Sequence, residues 1–335
     1  MAVNLLALTC VASPAHAEEE PVVIQVYNGL GTTAGARVWG RVLEDEGAPP
    51  PRKGERWYRK LKRNYHALES DEIPDAELEV HVLGRKIRVK ADKEGLFEAR
   101  LKGPLTKGRH PVDVRLVSDG DGKKRRFRVE KGALLVWPRK PGVAVISDID
   151  DTVLESGVAS KLKLARKVMT TNAHDLKTFA GAPALYRVWA GRRYPVVFVS
   201  GSPVNLYPKL TRFFELRGFP AAPLLLKDFG REDLTEQKAY KLKHIATVAR
   251  LLPGYRFILV GDDGEQDPEI YQEVQKLHPK RVELVLIHRV AEKPSKPPAG
   301  QLYFSDYRAL ARALHRRKLL DDAELKRVKG KGSDR

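Results

Sequence analysis

The chain has 335 residues, 42 % of them hydrophobic, which exceeds one ordinary domain and supplies enough apolar surface for folded cores. Lysine and arginine outnumber aspartate and glutamate 61 to 43, a net charge of +18 that favours anionic partners; the excess is spread along the chain instead of being gathered on one module with stacking aromatics, so a nucleic-acid partner is not expected. The only cysteine is Cys10, which excludes internal disulfides, thiolate metal clusters and a cysteine nucleophile in the folded domains.

Residues 1–20, MAVNLLALTCVASPAHAEEE, place an apolar stretch before Ala15-His16-Ala17 and three glutamates. The pattern is that of a signal peptide cleaved after Ala17, although the basic residues that usually open one are missing. The expected location is therefore periplasmic or secreted, with cytoplasmic as the alternative. No later segment is long and apolar enough to span a bilayer, so membrane contact, where it occurs, is expected to be peripheral.

From residue 21 to about 138 short alternating runs (VVIQVY, ARVWGRVL, LEVHVLGRKIRVKA, GLFEARL, HPVDVRLV) are punctuated by Gly, Pro and Asp. Period-two alternation with such punctuation predicts an all-β accessory domain, an antiparallel sandwich or barrel. Within it, Gly47 to Asn64 combines a proline run with basic residues and reads as a loop, and GDGKKRRFRVEKG, Gly120 to Gly132, reads as a hairpin tip returning into a strand.

From residue 139 to 320 the pattern changes to apolar strands alternating with helical segments, which predicts a parallel, doubly wound α/β domain. Val143 to Ile146 delivers Asp148, Asp150 and Thr152 to a strand end. Carboxylates in that position are costly unless a cation or a phosphoryl group with its counter-ion is held there. A helix cap by Asp151 or Thr152 is the competing reading, while a calcium loop is excluded by Val153 and Ala159 at its glycine and glutamate positions. A second strand, Val196 to Val199, leads into Ser200, Gly201 and Ser202, and Ser202-Pro203 predicts an N-cap and first helical residue whose free N–H groups would face an anion. An ordinary strand-to-helix turn is the alternative there. The helical stretch Thr235 to Leu252 offers Lys238, Lys241 and Lys243, between which spacing does not choose. A third strand, Phe257 to Val260, ends in Gly261, Asp262 and Asp263, with Asp267-Pro268-Glu269 as a helix start in which Asp267 could serve only as a cap. In such sheets ligands bind outside the carboxyl ends of the strands, so the three polar clusters are expected to converge. Beyond residue 320 the chain is charged and glycine-containing, and 321–335 reads as a flexible basic tail.

Taken in order, ISDIDDTV with ESGV, TTNAHDLKTFAGAPALYRVW, FVSGSPVNLY, PLLLKDFG and FILVGDDGEQDPEIY resemble the haloacid dehalogenase superfamily, and within it the catalytic domain of the fungal actin-patch phosphatidate phosphatase family and its bacterial relatives. The resemblance covers roughly residues 140 to 315. It implies a Rossmann-like fold with a small cap from Val153 to Tyr194, mostly helical. Asn172, His174 and Lys177 lie in that stretch and could touch a head group, but a surface loop with a lone histidine is the favoured reading of them. It also implies a Mg²⁺-dependent phosphatase whose nucleophile is Asp148, forming an aspartyl-phosphate, and whose acid and base is Asp150. Ser200 and Lys241 would hold and neutralise the phosphoryl group, helped by Thr152, Gly201 and Ser202. The Mg²⁺ ligands would be Asp148, Asp262, Asp267 and the carbonyl of Asp150. Two positions depart from the family: Gly261-Asp262-Asp263-Gly264-Glu265 stands where G-D-S-G-Q is usual, and Tyr240 stands where a histidine is usual. The first leaves open whether Asp263 replaces Asp262 as ligand. The implied substrate is a phosphate monoester, first of all the anionic lipid phosphatidate; a soluble phosphomonoester, or a non-catalytic lipid- or envelope-binding role on the same fold, are the alternatives.

Overall fold

The structure is a computed structural model and describes residues 21–45, 72–155, 171–228, 237–291 and 297–330. The expected signal segment and the loop 47–64 lie outside the described residues.

The first part is a two-layer β-sandwich. One sheet contains β1 (Val22–Val26), β2 (Gly29–Thr32), β3 (Gly35–Glu44), β6 (Leu96–Lys102), β7 (Gly108–Pro111), β9 (Phe127–Glu130) and β10 (Ala133–Trp137); the other contains β4 (Glu77–Val82), β5 (Arg85–Lys90) and β8 (Asp113–Ser118). Alternation sets the packing: on β4 the buried residues are Leu78, Val80 and Val82, and they meet Val22, Ile24, Val38 and Phe97 of the larger sheet in one core. Two pairings depart from the antiparallel expectation, since β1 pairs with β9 and β2 with β10 in parallel. Strands so distant in sequence are joined by long connections that do not impose the reversal a tight hairpin would. The expected hairpin at Gly120–Gly132 is also corrected: β8 and β9 belong to different sheets, and the turn between them carries the chain across the sandwich.

The second part is a six-stranded parallel sheet of β11 (Gly142–Ser147), β14 (Val196–Pro203), β15 (Leu224–Lys227), β16 (Tyr255–Asp262), β17 (Val282–His288) and β18 (Gln301–Phe304), ordered β15-β14-β11-β16-β17-β18. Its strands are apolar on both faces because both are covered. On one face, Val145, Phe198 and Val260 pack with residues of α1 (Ala182–Gly191), α2 (Tyr207–Leu216) and α5 (Tyr307–Arg316). On the other, Ile146, Val197 and Leu259 pack with α3 (Gln237–Leu251) and α4 (Asp267–Leu277). Counted along the chain the strand order is third, second, first, fourth, fifth, sixth, so the winding reverses between β11 and β16 and opens a crevice at their carboxyl ends.

Three expectations are corrected. The stretch 321–335 is not a flexible tail throughout: α6 (Asp322–Lys329) is capped by a reciprocal Asp321–Glu324 box, buries Val328 completely and, through Glu324, accepts Arg192 at the C-cap of α1 at 2.6 Å. The region Val153–Tyr194, expected as mostly helical, holds α1 and a two-stranded ladder of β12 (Leu154–Glu155) and β13 (Lys177–Thr178) among the described residues; residues 156–170 lie outside them. Asn172 is buried and shapes a turn, its Oδ1 accepting the His174 amide at 3.2 Å, so it is placed for structure rather than for a head group. Finally, no helix begins at Ser202-Pro203: β14 runs on through Pro203, whose ψ of 142° is extended, and a 3-10 turn, Val204–Leu206, precedes α2. The anion-binding helix end expected there is absent.

The sandwich braces this segment. Tyr27 stacks on Tyr207 with ring centroids 3.9 Å apart, the Tyr207 hydroxyl accepts the Asn28 amide at 2.8 Å, and the buried Arg41 donates to Asn205 at 3.1 Å. Leu30, Trp39 and Trp137 of the larger sheet pack into the core of the α/β part, so the sandwich is seated on it through apolar contact. Among the described residues no helix is long and apolar enough to cross a membrane.

Candidate active site

The crevice is lined by side chains from β11, β14, β16, α3 and α4. Asp148 follows β11, is 2 % exposed, and has its amide fixed to the Val260 carbonyl at 2.9 Å. The chain then folds into a tight turn in which the amides of Val153 and Leu154 both donate to the Ile149 carbonyl at 2.9 Å and Asp151 takes a positive φ of 53°. That turn aims Asp150 towards β14, where its Oδ2 accepts Ser200 Oγ at 3.0 Å and Ser202 Oγ at 2.6 Å. Ser200 is in turn fixed by the Ser202 amide at 3.0 Å.

Lys241 projects from α3 into the crevice and is 1 % exposed, with Nζ 2.5 Å from Asp267 Oδ1, 3.2 Å from Asp148 Oδ1 and 4.0 Å from Glu265 Oε2. Asp262 closes β16; its amide donates to Asp267 Oδ2 at 3.3 Å and its Oδ1 accepts the Gly264 amide at 2.8 Å. Gly261 is required by this geometry, because a Cβ there would lie 2.3 Å from Asp267 Oδ2.

Asp148, Asp150, Ser200, Ser202, Lys241, Asp262 and Asp267 therefore reach one place, though not in equal roles. Asp148, Asp262 and Asp267 are completely or almost completely buried, and each offers a carboxylate oxygen within 4.8 Å of the others'. Thr152 is fully buried, with its hydroxyl 3.5 Å from Asp262 Oδ2, so it abuts the acidic group more than an open phosphoryl site. Gly201 lies half-buried between the two serines. Asp263 turns away: its Oδ1 accepts the amides of Val290 at 2.6 Å and Ala291 at 2.9 Å, leaving Asp262 as the carboxylate of the cluster. Of the three lysines on α3, Lys241 alone is buried, whereas Lys238 pairs with Glu273 at half exposure.

The electrostatics show what this arrangement lacks. Burial pushes Asp148 well above the ordinary carboxylate range; Lys241 pulls it down, and Asp267 and Asp262 push it up again. Burial likewise raises Asp262, reinforced by Asp267, and raises Asp267 against the pull of Lys241. Burial draws Lys241 down, but Asp148 and Asp267 outweigh it and hold the amine well above its usual range. Three buried carboxylates face one buried ammonium, and Asp148 Oδ2 is buried with no hydrogen-bond partner. An all-oxygen donor set with excess negative charge fits a hard divalent cation. Asp150 stands apart: burial pushes it up to about 6, and the Ser202 hydroxyl restrains the rise.

Two contributors went unassigned in the sequence. Gln237 donates to Glu265, and Glu265 in turn faces Lys241, forming a polar rim over the crevice. Glu265 occupied a position already marked as a departure from the family's glutamine. Gln237, the first residue of α3, carried no signal of its own.

Residues 143–289 match the family described as Phosphatidate phosphatase APP1, catalytic domain. Phosphatidate phosphatase APP1 of Saccharomyces cerevisiae is 29 % identical over 167 residues, 47 % of this chain and 28 % of that protein. An uncharacterised protein of Schizosaccharomyces pombe is 31 % identical over 153 residues, 44 % of this chain and 25 % of that protein. The chain thus spans about a quarter of the length of these curated relatives. Among solved structures, the class C acid phosphatase of Bacillus anthracis with tungstate bound superimposes with a TM-score of 0.31 at 17 % identity, covering 57 % of this chain and 78 % of that one. The haloacid dehalogenase domain of the Legionella pneumophila effector Lem4 gives 0.33 at 15 % identity, covering 52 % and 94 %. Superpositions that loose leave the fold to be read from the chain's own strand order.

Proposed function

We propose, from the match of residues 143–289 to the phosphatidate phosphatase APP1 catalytic-domain family, that the chain hydrolyses phosphate monoesters by way of an aspartyl-phosphate on Asp148. The observation that carries the reading is the convergence, at the carboxyl ends of β11, β14 and β16, of Asp148, Asp150, Ser200, Lys241, Asp262 and Asp267.

In this reading the Asp148 carboxylate attacks phosphorus while the bond to the leaving oxygen breaks. Lys241 orients that carboxylate and offsets its charge. Asp150, held by two serine hydroxyls and raised to about 6, hands its proton to the departing alkoxide. As a carboxylate it then takes a proton from water, whose oxygen attacks phosphorus and releases phosphate, restoring Asp148. Ser200 and the backbone at Gly201 receive the phosphoryl oxygens. A divalent ion, Mg²⁺ in this reading, held by Asp148, Asp262, Asp267 and the Asp150 carbonyl, would supply charge neutralisation between nucleophile and phosphoryl group.

The proposed substrate is phosphatidate, converted to diacylglycerol and phosphate. Its support is the family of the match and the strongly basic composition. Export to the periplasm or beyond belongs to the same reading and rests on the Ala15-His16-Ala17 pattern. The test is phosphate release from an aryl phosphate and from phosphatidate in mixed micelles, each with Mg²⁺ and with chelator. Release from both, abolished by chelator, is expected; activity on soluble esters alone removes the lipid assignment, and no release from any ester removes the enzyme.

A further inference from the structure

The turn that carries Asp150 is held from outside in an unusual way. Three consecutive backbone carbonyls, those of Asp151, Thr152 and Val153, each accept from a side chain of a different element. His288 at the end of β17 approaches the Asp151 carbonyl through Nδ1 at 2.8 Å; Tyr307 at the start of α5 donates its hydroxyl to the Thr152 carbonyl at 2.7 Å; Thr178 on β13 donates to the Val153 carbonyl at 2.6 Å. A carbonyl only accepts, so the His288 ring carries its proton on Nδ1. His288 and Tyr307 are buried, and the His288 ring packs edge-on against Phe179, the residue after β13, at 4.4 Å.

Three more carbonyls of the segment are engaged locally. Ser147 Oγ donates to the Asp148 carbonyl at 2.6 Å, the Ile149 carbonyl takes the amides of Val153 and Leu154, and the Leu154 carbonyl takes the Asp151 amide at 2.9 Å. From Asp148 to Leu154, the carbonyl of Asp150 is the one to which no described residue donates. A positive-φ residue such as Asp151 is kept in a turn only where the surroundings over-determine it, so the groups that hold the carbonyls add to the turn's own hydrogen bonds in setting its shape. Here the outside holders come from the β12–β13 ladder, the parallel sheet and α5.

We propose that Thr178, Tyr307 and His288 are positioning residues: they clamp the 151–153 carbonyls so that the carbonyl and carboxylate of Asp150 stay turned towards Asp148 and the acidic cluster. None of the three touches the reacting atoms. Because Thr178 lies on the β12–β13 ladder, the clamp also ties that ladder to the catalytic turn. The inference rests on the functional reading above for its kinetic readout, and on cation binding independently of it.

The experiment compares the wild type with Thr178→Val, Thr178→Ser, Tyr307→Phe, His288→Leu and His288→Asn. Readouts are kcat and KM on an aryl phosphate, Mg²⁺ affinity from the rise of the unfolding temperature with Mg²⁺, and far-ultraviolet circular dichroism for the fold. Thr178→Val keeps the shape of a half-buried side chain and guards against a variant that merely unfolds. Donor-less variants are expected to lose on the order of ten- to a hundredfold in kcat, with KM within about twofold, and to bind Mg²⁺ more weakly. Thr178→Ser and His288→Asn, which keep a donor in place, are expected to stay near wild type. Folded Thr178→Val and Tyr307→Phe variants with wild-type kcat and Mg²⁺ affinity overturn the proposal, as does a Thr178→Ser variant that loses as much as Thr178→Val. A wild type with no Mg²⁺ affinity overturns it too, whereas a lack of phosphate release alone counts against the functional reading and leaves Mg²⁺ affinity to decide the clamp.

Discussion

Ser202 donates its hydroxyl to Asp150 Oδ2 at 2.6 Å, the shortest of the contacts that bind β14 to the catalytic turn and the one that most restrains the upward shift of Asp150. The consequence is a pH dependence of defined sign. Asp150 must be protonated to release the leaving group, so the rate of that step is full below about 6 and falls as pH rises through it. Ser202→Ala removes a bond that favours the carboxylate, so the folded pKa rises and the falling limb of kcat/KM moves to higher pH. A neutral-to-charged hydrogen bond contributes about 1.5–3 kcal/mol, an upper bound of one to two pH units for the shift. A pH profile of the two proteins checks it; a limb that moves to lower pH or stays in place contradicts the role of Ser202.

Asp148→Asn should abolish turnover, by at least about a thousandfold, because an amide oxygen is a far poorer nucleophile. It should not unfold the protein. Replacing one of three crowded, buried carboxylates relieves repulsion from Asp262 and Asp267, so thermal unfolding in chelator is expected at or above the wild-type temperature. A clear fall in that temperature would show that the cluster is not short of positive charge.

The adjacent acids at the end of β16 separate function from structure. Asp262→Asn should weaken Mg²⁺ activation strongly while changing stability little. Asp263→Ala should do the reverse, because its carboxylate caps the amides of Val290 and Ala291, and losing that cap costs about 1–3 kcal/mol. Denaturant melts and Mg²⁺ titrations of both variants distinguish the two residues.

Gly261→Ala tests the spacing. The added methyl would lie 2.3 Å from Asp267 Oδ2, so Asp267 must move, taking Lys241 with it. Activity is expected to fall on the order of a hundredfold or more while circular dichroism stays native. Wild-type kinetics in this variant would mean that Asp267 has room to spare.

Much of this site was legible in the sequence because an apolar strand followed by several carboxylates is energetically odd wherever it occurs. Asp148, Asp150 and Asp262 could be placed at strand ends from that oddity alone, and the alternation of strands with helices was enough to predict that the ends would meet. Lys241 could be singled out from Lys238 and Lys243 by resemblance only, since burial distinguishes them and helical spacing does not. Ser202 misled: Ser-Pro is a strong helix-start signal, but the edge-strand pairing of Pro203 with Lys227 prolongs the strand and shifts the helix onto Tyr207-Pro208. The tail misled in the opposite direction. Its charge and glycines suggested fraying, yet a capping box, the buried Val328 and the Arg192–Glu324 pair hold α6 against α1 and α5. His288, Tyr307 and Thr178 were invisible because they act on backbone carbonyls, which leave no trace in side-chain spacing.

The account stands most directly on one measurement: mass-spectrometric mapping of covalent phosphate after acid quench of Asp150→Asn incubated with an aryl phosphate and Mg²⁺. With Asp150 unable to activate water, phosphate should accumulate on the peptide containing Asp148, and should vanish in the Asp148→Asn, Asp150→Asn double variant or in chelator. Phosphate release by Asp148→Asn at the wild-type rate, or a stable adduct on any other residue, would contradict the account.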